Sequence, residues 1–133
     1  MNFNPVGRDE NDDRFMKFHA PLTIVEKIQL LQRSILVNSF AYYELDSNIL
    51  TDFQYDNNAK QLAEFKKLYP VEFGRSRYYE YFRDYCSDVD GTVNTSGFDL
   101  LRKIEKNDKE LYRHIWIDAA LALDLKSKRG VSV

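Results

Sequence analysis

Apolar residues first fall into a regular pattern at Ile24. Ile24, Ile28, Leu31 and Ile35 recur at spacings of four, three and four, which lays one apolar stripe along a helix. The pattern runs on through Asn38 to Tyr42, so the spacing predicts a helix over 24–45. Thr23 and Glu26 just ahead of it form a capping box, in which each side chain satisfies a free backbone N–H. Thr51 and Gln54 repeat that signature and start a second helix near Asp52. Its apolar face is Tyr55, Ala59, Leu62 and Phe65, and Pro70 ends it. The polar link "DSNIL" is short, so the two helices must lie antiparallel or strongly crossed. A helical hairpin over about 22–73 is expected.

The pattern is weaker downstream. "SRYYEYFRDYC" reads as a short helix, or as a strand with Tyr79, Tyr81 and Arg83 facing away from Tyr78, Glu80 and Phe82. "DVDGTVNTSG" is a loop. Ser96 can cap a helix starting at "GFDLLRKI", and Asn107 with Glu110 opens a last one. That helix carries Leu111, Ile115, Ala119 and Ala122 on one face and is expected to stop before Gly130. The fold class is therefore mainly α: one domain over 19–133, with residues of about 75–130 covering the hairpin. Residues 1–18 are polar and acidic, and read as a poorly ordered arm whose Phe15, Met16 and Phe18 dock on the body.

Composition narrows the function classes. With 19 basic against 21 acidic residues, net charge −2, the chain lacks the clustered basic surface that non-specific nucleic-acid binding needs. The basic tail "LKSKRG" suits the C-terminal end of a helix dipole instead. A single cysteine, Cys86, excludes an intramolecular disulfide, and His19 and His114 stand alone, so no metal site is expected. The start, "MNFNPVGRDENDDRF", has no signal-peptide pattern, and no apolar run approaches a membrane span. A soluble cytoplasmic protein is the expectation.

Two short motifs do not carry chemistry. "DVDGT", Asp88 to Thr92, copies the Asp-x-Asp-Gly-Thr string of haloacid-dehalogenase phosphatases, whose first Asp is a nucleophile. That chemistry needs the string at the end of a buried strand in a parallel sheet, and "YFRDYCS" ahead of it holds Arg83 and Asp84. The same loop fails as an EF-hand, with Val93 where the turn glycine belongs and Asp99 at the last position. Cys86 has no histidine near it in sequence and reads as a buried or partly buried thiol.

The stretch "AYYELDSNILTDFQYD", Ala41 to Asp56, is denser in chemistry, with four aromatics and three aspartates in sixteen residues. Asp52, Tyr55 and Asp56 sit at i, i+3 and i+4 and share a face in the first turn of the second helix. Tyr42 and Tyr43 end the first helix close to that turn. The aspartates also suit a helix N-terminus with no ligand, and Tyr42 and Tyr55 can simply pack helix on helix.

Tyr42, Tyr43 and Asp46, followed after five residues by Asp52, Tyr55 and Asp56, match a known signature. With them, residues Leu36 to Phe73 resemble the small N-terminal helical domain, domain Ia, of bacterial NAD-dependent DNA ligases. The resemblance implies a pocket for nicotinamide mononucleotide (NMN) or the nicotinamide half of NAD, built from Tyr42, Tyr43, Asp52, Tyr55 and Asp56. The chemistry is sound: a cationic nicotinamide ring gains from tyrosine faces, and carboxylates accept hydrogen bonds from ribose hydroxyls or the carboxamide.

The adenylated Lys-x-Asp-Gly lysine of such ligases has no counterpart, since "DVDG" puts Asp88 in its place. The chain is also too short for a nucleotidyltransferase domain. It is not expected to be a ligase, or an enzyme, on its own, and no catalytic residue is assigned. A small stand-alone relative, of phage or mobile-element type, fits the resemblance. The alternative expectation is a protein–protein interaction module that keeps the hairpin as scaffold, with Tyr78, Tyr79 and Tyr81 as contact residues.

Overall fold

The computed structural model describes residues 21–87 and 95–131. Among them it has six helices and no strand: α1 (Ile24–Glu44), α2 (Asp52–Leu68), α3 (Pro70–Gly74), α4 (Tyr79–Phe82), α5 (Gly97–Asn107) and α6 (Lys109–Val131). The mainly α class holds. The N-terminal arm and the "DVDGT" loop lie outside the described residues.

Both capping boxes form. Thr23 N–H donates to Glu26 Oε1 at 2.8 Å while Glu26 N–H donates to Thr23 Oγ1 at 3.1 Å. Thr51 and Gln54 repeat the exchange at 3.0 and 3.1 Å. At the other end of α1, Asp46 adopts the left-handed conformation with φ 52. This turn lets the Leu45 and Ser47 N–H groups both donate to the Ala41 carbonyl, and Asp tolerates it better than most residues.

α1 is the central helix, packed against α2, α3, α5 and α6. Ile28, Gln32, Ile35, Leu36, Ser39, Phe40 and Ala41 are all buried on it, so its buried surface wraps well beyond a single stripe. Leu62 of α2, Phe73 of α3, Phe82 of α4, Leu100, Leu101 and Ile104 of α5, and Ile115 and Ala119 of α6 complete the core. Each large side chain so buried contributes roughly 1.5–3 kcal/mol. Hydrogen bonds fix α1 and α2 as antiparallel, because Ser39 meets Tyr55 and Ser34 meets Asn58.

Two buried polar residues on α1 tie elements together. Gln32 Nε2 donates to Ser76 Oγ at 2.9 Å, and Ser76 Oγ donates to the Phe73 carbonyl at 2.6 Å. Ser39 Oγ and the Tyr55 hydroxyl share a 2.9 Å bond. On another side of α1, Arg33 Nε donates to Asp118 Oδ2 of α6 at 3.1 Å and Arg33 Nη1 to the Tyr78 hydroxyl at 3.3 Å.

Of the two readings of the segment around Tyr79 the short helix forms, as α4, since the 76–86 stretch curls back through turns such as Tyr79 N–H to the Ser76 carbonyl. Other expectations need correction. Tyr78, expected at the surface, is only 7% exposed, with the guanidinium groups of Arg33 and Arg77 over its ring. Tyr79 and Tyr81 are half-buried, packed against the core. The cap of α6 is Asp108, whose Oδ1 accepts from Leu111 N–H at 3.0 Å; Asn107 turns back to the Lys103 carbonyl at 2.9 Å. Nor does Gly130 stop α6, which continues to Val131. A helical glycine is only about 1 kcal/mol worse than alanine, too little to force an end.

Gly97, first residue of α5, packs directly on Ser39 of α1 and Tyr55 of α2. A Cβ there would collide with Ser39 Oγ and lie 2.8 Å from Ser39 Cβ and 3.0 Å from the Tyr55 hydroxyl. Gly97→Ala is therefore expected to destabilise the protein by roughly 1–3 kcal/mol, the usual cost of overpacking a core. Urea unfolding checks this; an unchanged midpoint would refute the close packing of α5 on α1.

Candidate functional site

The end of α1, the 45–51 loop and the first turn of α2 enclose a cleft of about 130 Å³. It is lined by Asn38, Ser39, Tyr42 and Tyr43 of α1, by Asn48, Ile49 and Leu50 of the loop, and by Asp52 and Tyr55 of α2. Four of the five residues expected from sequence thus share one cleft. The fifth, Asp56, is exposed and does not line it.

Local structure sets each wall. The antiparallel hairpin brings the last turn of α1 against the first turn of α2. Tyr42 and Tyr43 meet edge to face with ring centroids 4.8 Å apart, and Tyr43 meets Phe98 of α5 in the same way at 5.6 Å. Arg102 lies over the other partner, 4.9 Å from the Phe98 centroid, and pairs with Glu44. The aromatic wall is therefore braced by α5 from outside the hairpin. Lys126 of α6 donates to the Asn48 carbonyl at 2.6 Å and holds the loop.

Tyr42 and Tyr43 are 56% and 47% exposed, so part of each side chain stays open to solvent beside these ring contacts. The Tyr55 hydroxyl, in contrast, is engaged with Ser39. Burial raises its pKa above the ordinary tyrosine value, with smaller contributions from Tyr43 and Asp56. Asp52 is the one carboxylate on the lining, which gives the cleft an acidic end next to two tyrosine faces. Such a wall favours a flat ring that is cationic or carries hydrogen-bond donors.

Sequence reasoning missed Asn38, Ser39 and the loop residues Asn48 to Leu50. Asn38 and Ser39 precede Tyr42 and Tyr43 by four residues each, so a helical projection places them on the same face. That signal was available. The loop residues carried none.

No cluster of His, Cys, Asp or Glu that could hold a metal occurs among the described residues. Cys86 is partly buried and has Thr95 Oγ1 3.7 Å from its sulfur. No described helix is long and apolar enough to cross a membrane.

Burial also raises the pKa of Tyr85, near Tyr55 in the core. A tyrosine that keeps its proton longer when folded stabilises the fold below the unfolded pKa, and that contribution is lost as pH rises through the folded value. Stability is thus expected to fall as pH climbs above about 10. Urea midpoints at several alkaline pH values test this, and Tyr85→Phe should blunt the fall; a flat profile would contradict the burial of both hydroxyls.

Comparison with known proteins gives a partial likeness. Over 50 residues the chain is 30% identical to DNA ligases of Thermotoga petrophila, Thermotoga maritima and Thermotoga neapolitana. The match covers 38% of this chain but 7% of each ligase. No family model matches, and no solved structure matches. The chain is a mainly α protein with a DNA-ligase-like portion.

Proposed function

We infer that the chain binds NMN, or the nicotinamide half of NAD, in the Tyr42–Tyr43–Asp52–Tyr55 cleft without catalysing a reaction. The observation that carries this reading is the convergence of four Tyr and Asp side chains, drawn from two helices, on one cleft. The partial likeness to DNA ligases points the same way.

Size supports a limited role for the cleft. Pockets that enclose a whole small molecule usually run to roughly 300–1,000 Å³, and this one offers about 130 Å³. A single ring fits inside, stacked on Tyr42 or Tyr43 with Asp52 facing its charge. The ribose and phosphate then lie outside, where the exposed Asp56 on the next turn of α2 offers a carboxylate to ribose hydroxyls. A second reading, a surface for a protein partner, draws on the exposed aromatics at this end, of which Phe53 is 80% exposed.

Calorimetric titration of the full chain with NMN, NAD and AMP tests the reading. NMN and NAD should bind one to one, and AMP should not. Asp52→Ala and Tyr42→Ala should each weaken NMN by roughly tenfold, the worth of one charge-assisted contact or one cation–π contact. Tyr55→Ala is a poor test, because it also removes the bond to buried Ser39. Absence of binding up to millimolar NMN, with a protein co-purifying on this face, would favour the second reading. Steady conversion of NAD, lost in the Asp52 variant, would overturn the non-catalytic part.

A further inference from the structure

A second, open hollow of about 400 Å³ lies between α1, the turn joining α3 to α4, and α6. It shares no lining residue with the Tyr42 cleft. Arg33, Arg77, His114 and Asp118 bring polar groups to its walls, and Leu111 and Ile117 bring apolar surface. Small-molecule pockets run to roughly 300–1,000 Å³, so a small organic molecule has room here.

The charges on these walls do not balance. Arg33 is already engaged: its Nε donates to Asp118 Oδ2 at 3.1 Å, its Nη2 pairs with the same oxygen, and its Nη1 donates to the Tyr78 hydroxyl at 3.3 Å. Arg33 and Asp118 therefore cancel each other. Arg77 is exposed, and its side chain makes no hydrogen bond or ion pair among the described residues. It lies over the Tyr78 ring, with the guanidinium carbon 5.6 Å from the centroid. A cation–π contact of this kind leaves the five N–H donors of the guanidinium unspent. The residue is nonetheless anchored. Its backbone N–H donates to Gln29 Oε1 at 3.0 Å, and the Tyr78 side chain that it overlies is buried. An anchored, accessible guanidinium with open donors suits a carboxylate, which it can hold through two parallel N–H···O bonds.

We propose that this hollow binds a small organic acid, with one carboxylate on the Arg77 guanidinium and an apolar body against Leu111 and Ile117. The site is independent of the nicotinamide-nucleotide reading. Ile117 is 44% exposed, so the apolar wall has surface left to cover. Asp118 sets the charge limit. One uncompensated cation balances one carboxylate. A phosphate carries nearly two negative charges at neutral pH, and its excess would be set against Asp118.

The test is an NMR titration of the isotopically labelled full chain with benzoate, benzamide, acetate and phenyl phosphate at constant ionic strength. Benzoate should give saturable shifts at Arg77, Tyr78, Leu111 and Ile117. It should bind about tenfold or more tightly than each of the other three, the worth of one charge-assisted contact or of the buried ring. Arg77→Ala should weaken benzoate by about tenfold or more, and its spectrum away from the hollow checks that the fold is kept. Benzamide, acetate or phenyl phosphate matching benzoate would overturn the proposal, as would an Arg77→Ala protein that binds benzoate like the wild type. Unchanged wild-type spectra at tens of millimolar benzoate would overturn the site itself, and that comparison needs no variant to fold. None of these outcomes bears on the Tyr42 cleft.

Discussion

The fold depends on burying α1 from several sides at once. A helix with Ile28, Gln32, Ile35, Leu36, Ser39, Phe40 and Ala41 all out of solvent cannot be satisfied by a hairpin partner alone. α2 covers one side, and α5 and α6 supply the others. One close-packed point of that enclosure is the junction of Ser39, Tyr55 and Gly97, where a serine hydroxyl and a phenol share a hydrogen bond under a residue that has no side chain. One polar contact and one missing methyl group set how closely three helices meet.

The same junction shapes the candidate site. Ser39 and Tyr55 form part of the cleft, while Asn38, Tyr42 and Tyr43 stand around it on α1. Residues remote in sequence steady the walls: Phe98 and Arg102 brace Tyr43 and Glu44, and Lys126 holds the carbonyl of Asn48. The C-terminal helices are therefore part of the cleft's support as well as cover for apolar surface. The ion pair of Arg102 with Glu44 is partly exposed and worth little by itself. Its guanidinium matters more as a plate against the Phe98 ring.

The hairpin was legible because its signals are local. Two capping boxes and an i, i+3, i+4 apolar stripe fix where α1 and α2 begin and which way they face, and the structure follows them closely. The shared cleft of Tyr42, Tyr43, Asp52 and Tyr55 then follows from helix geometry. The rest depended on contacts between distant residues. Gln32 is buried on α1 with its partner, Ser76, 44 residues away, a contact that no local pattern announces. Tyr78 looked like a surface contact because nothing in its neighbourhood announces that Arg33 and Arg77 will cover its ring. The start of α6 was misread by one residue because Asn107 and Asp108 are both good caps, and only the bond that each side chain makes separates them.

The central claim is that this cleft receives a nicotinamide ring. The most direct measurement is a two-dimensional NMR titration of the isotopically labelled full chain with NMN. The account predicts saturable amide shifts concentrated at Asn38 to Tyr43 and Asn48 to Asp56, with α6 beyond Lys126 unaffected. Unchanged spectra at millimolar NMN, or shifts confined to another face, would contradict it.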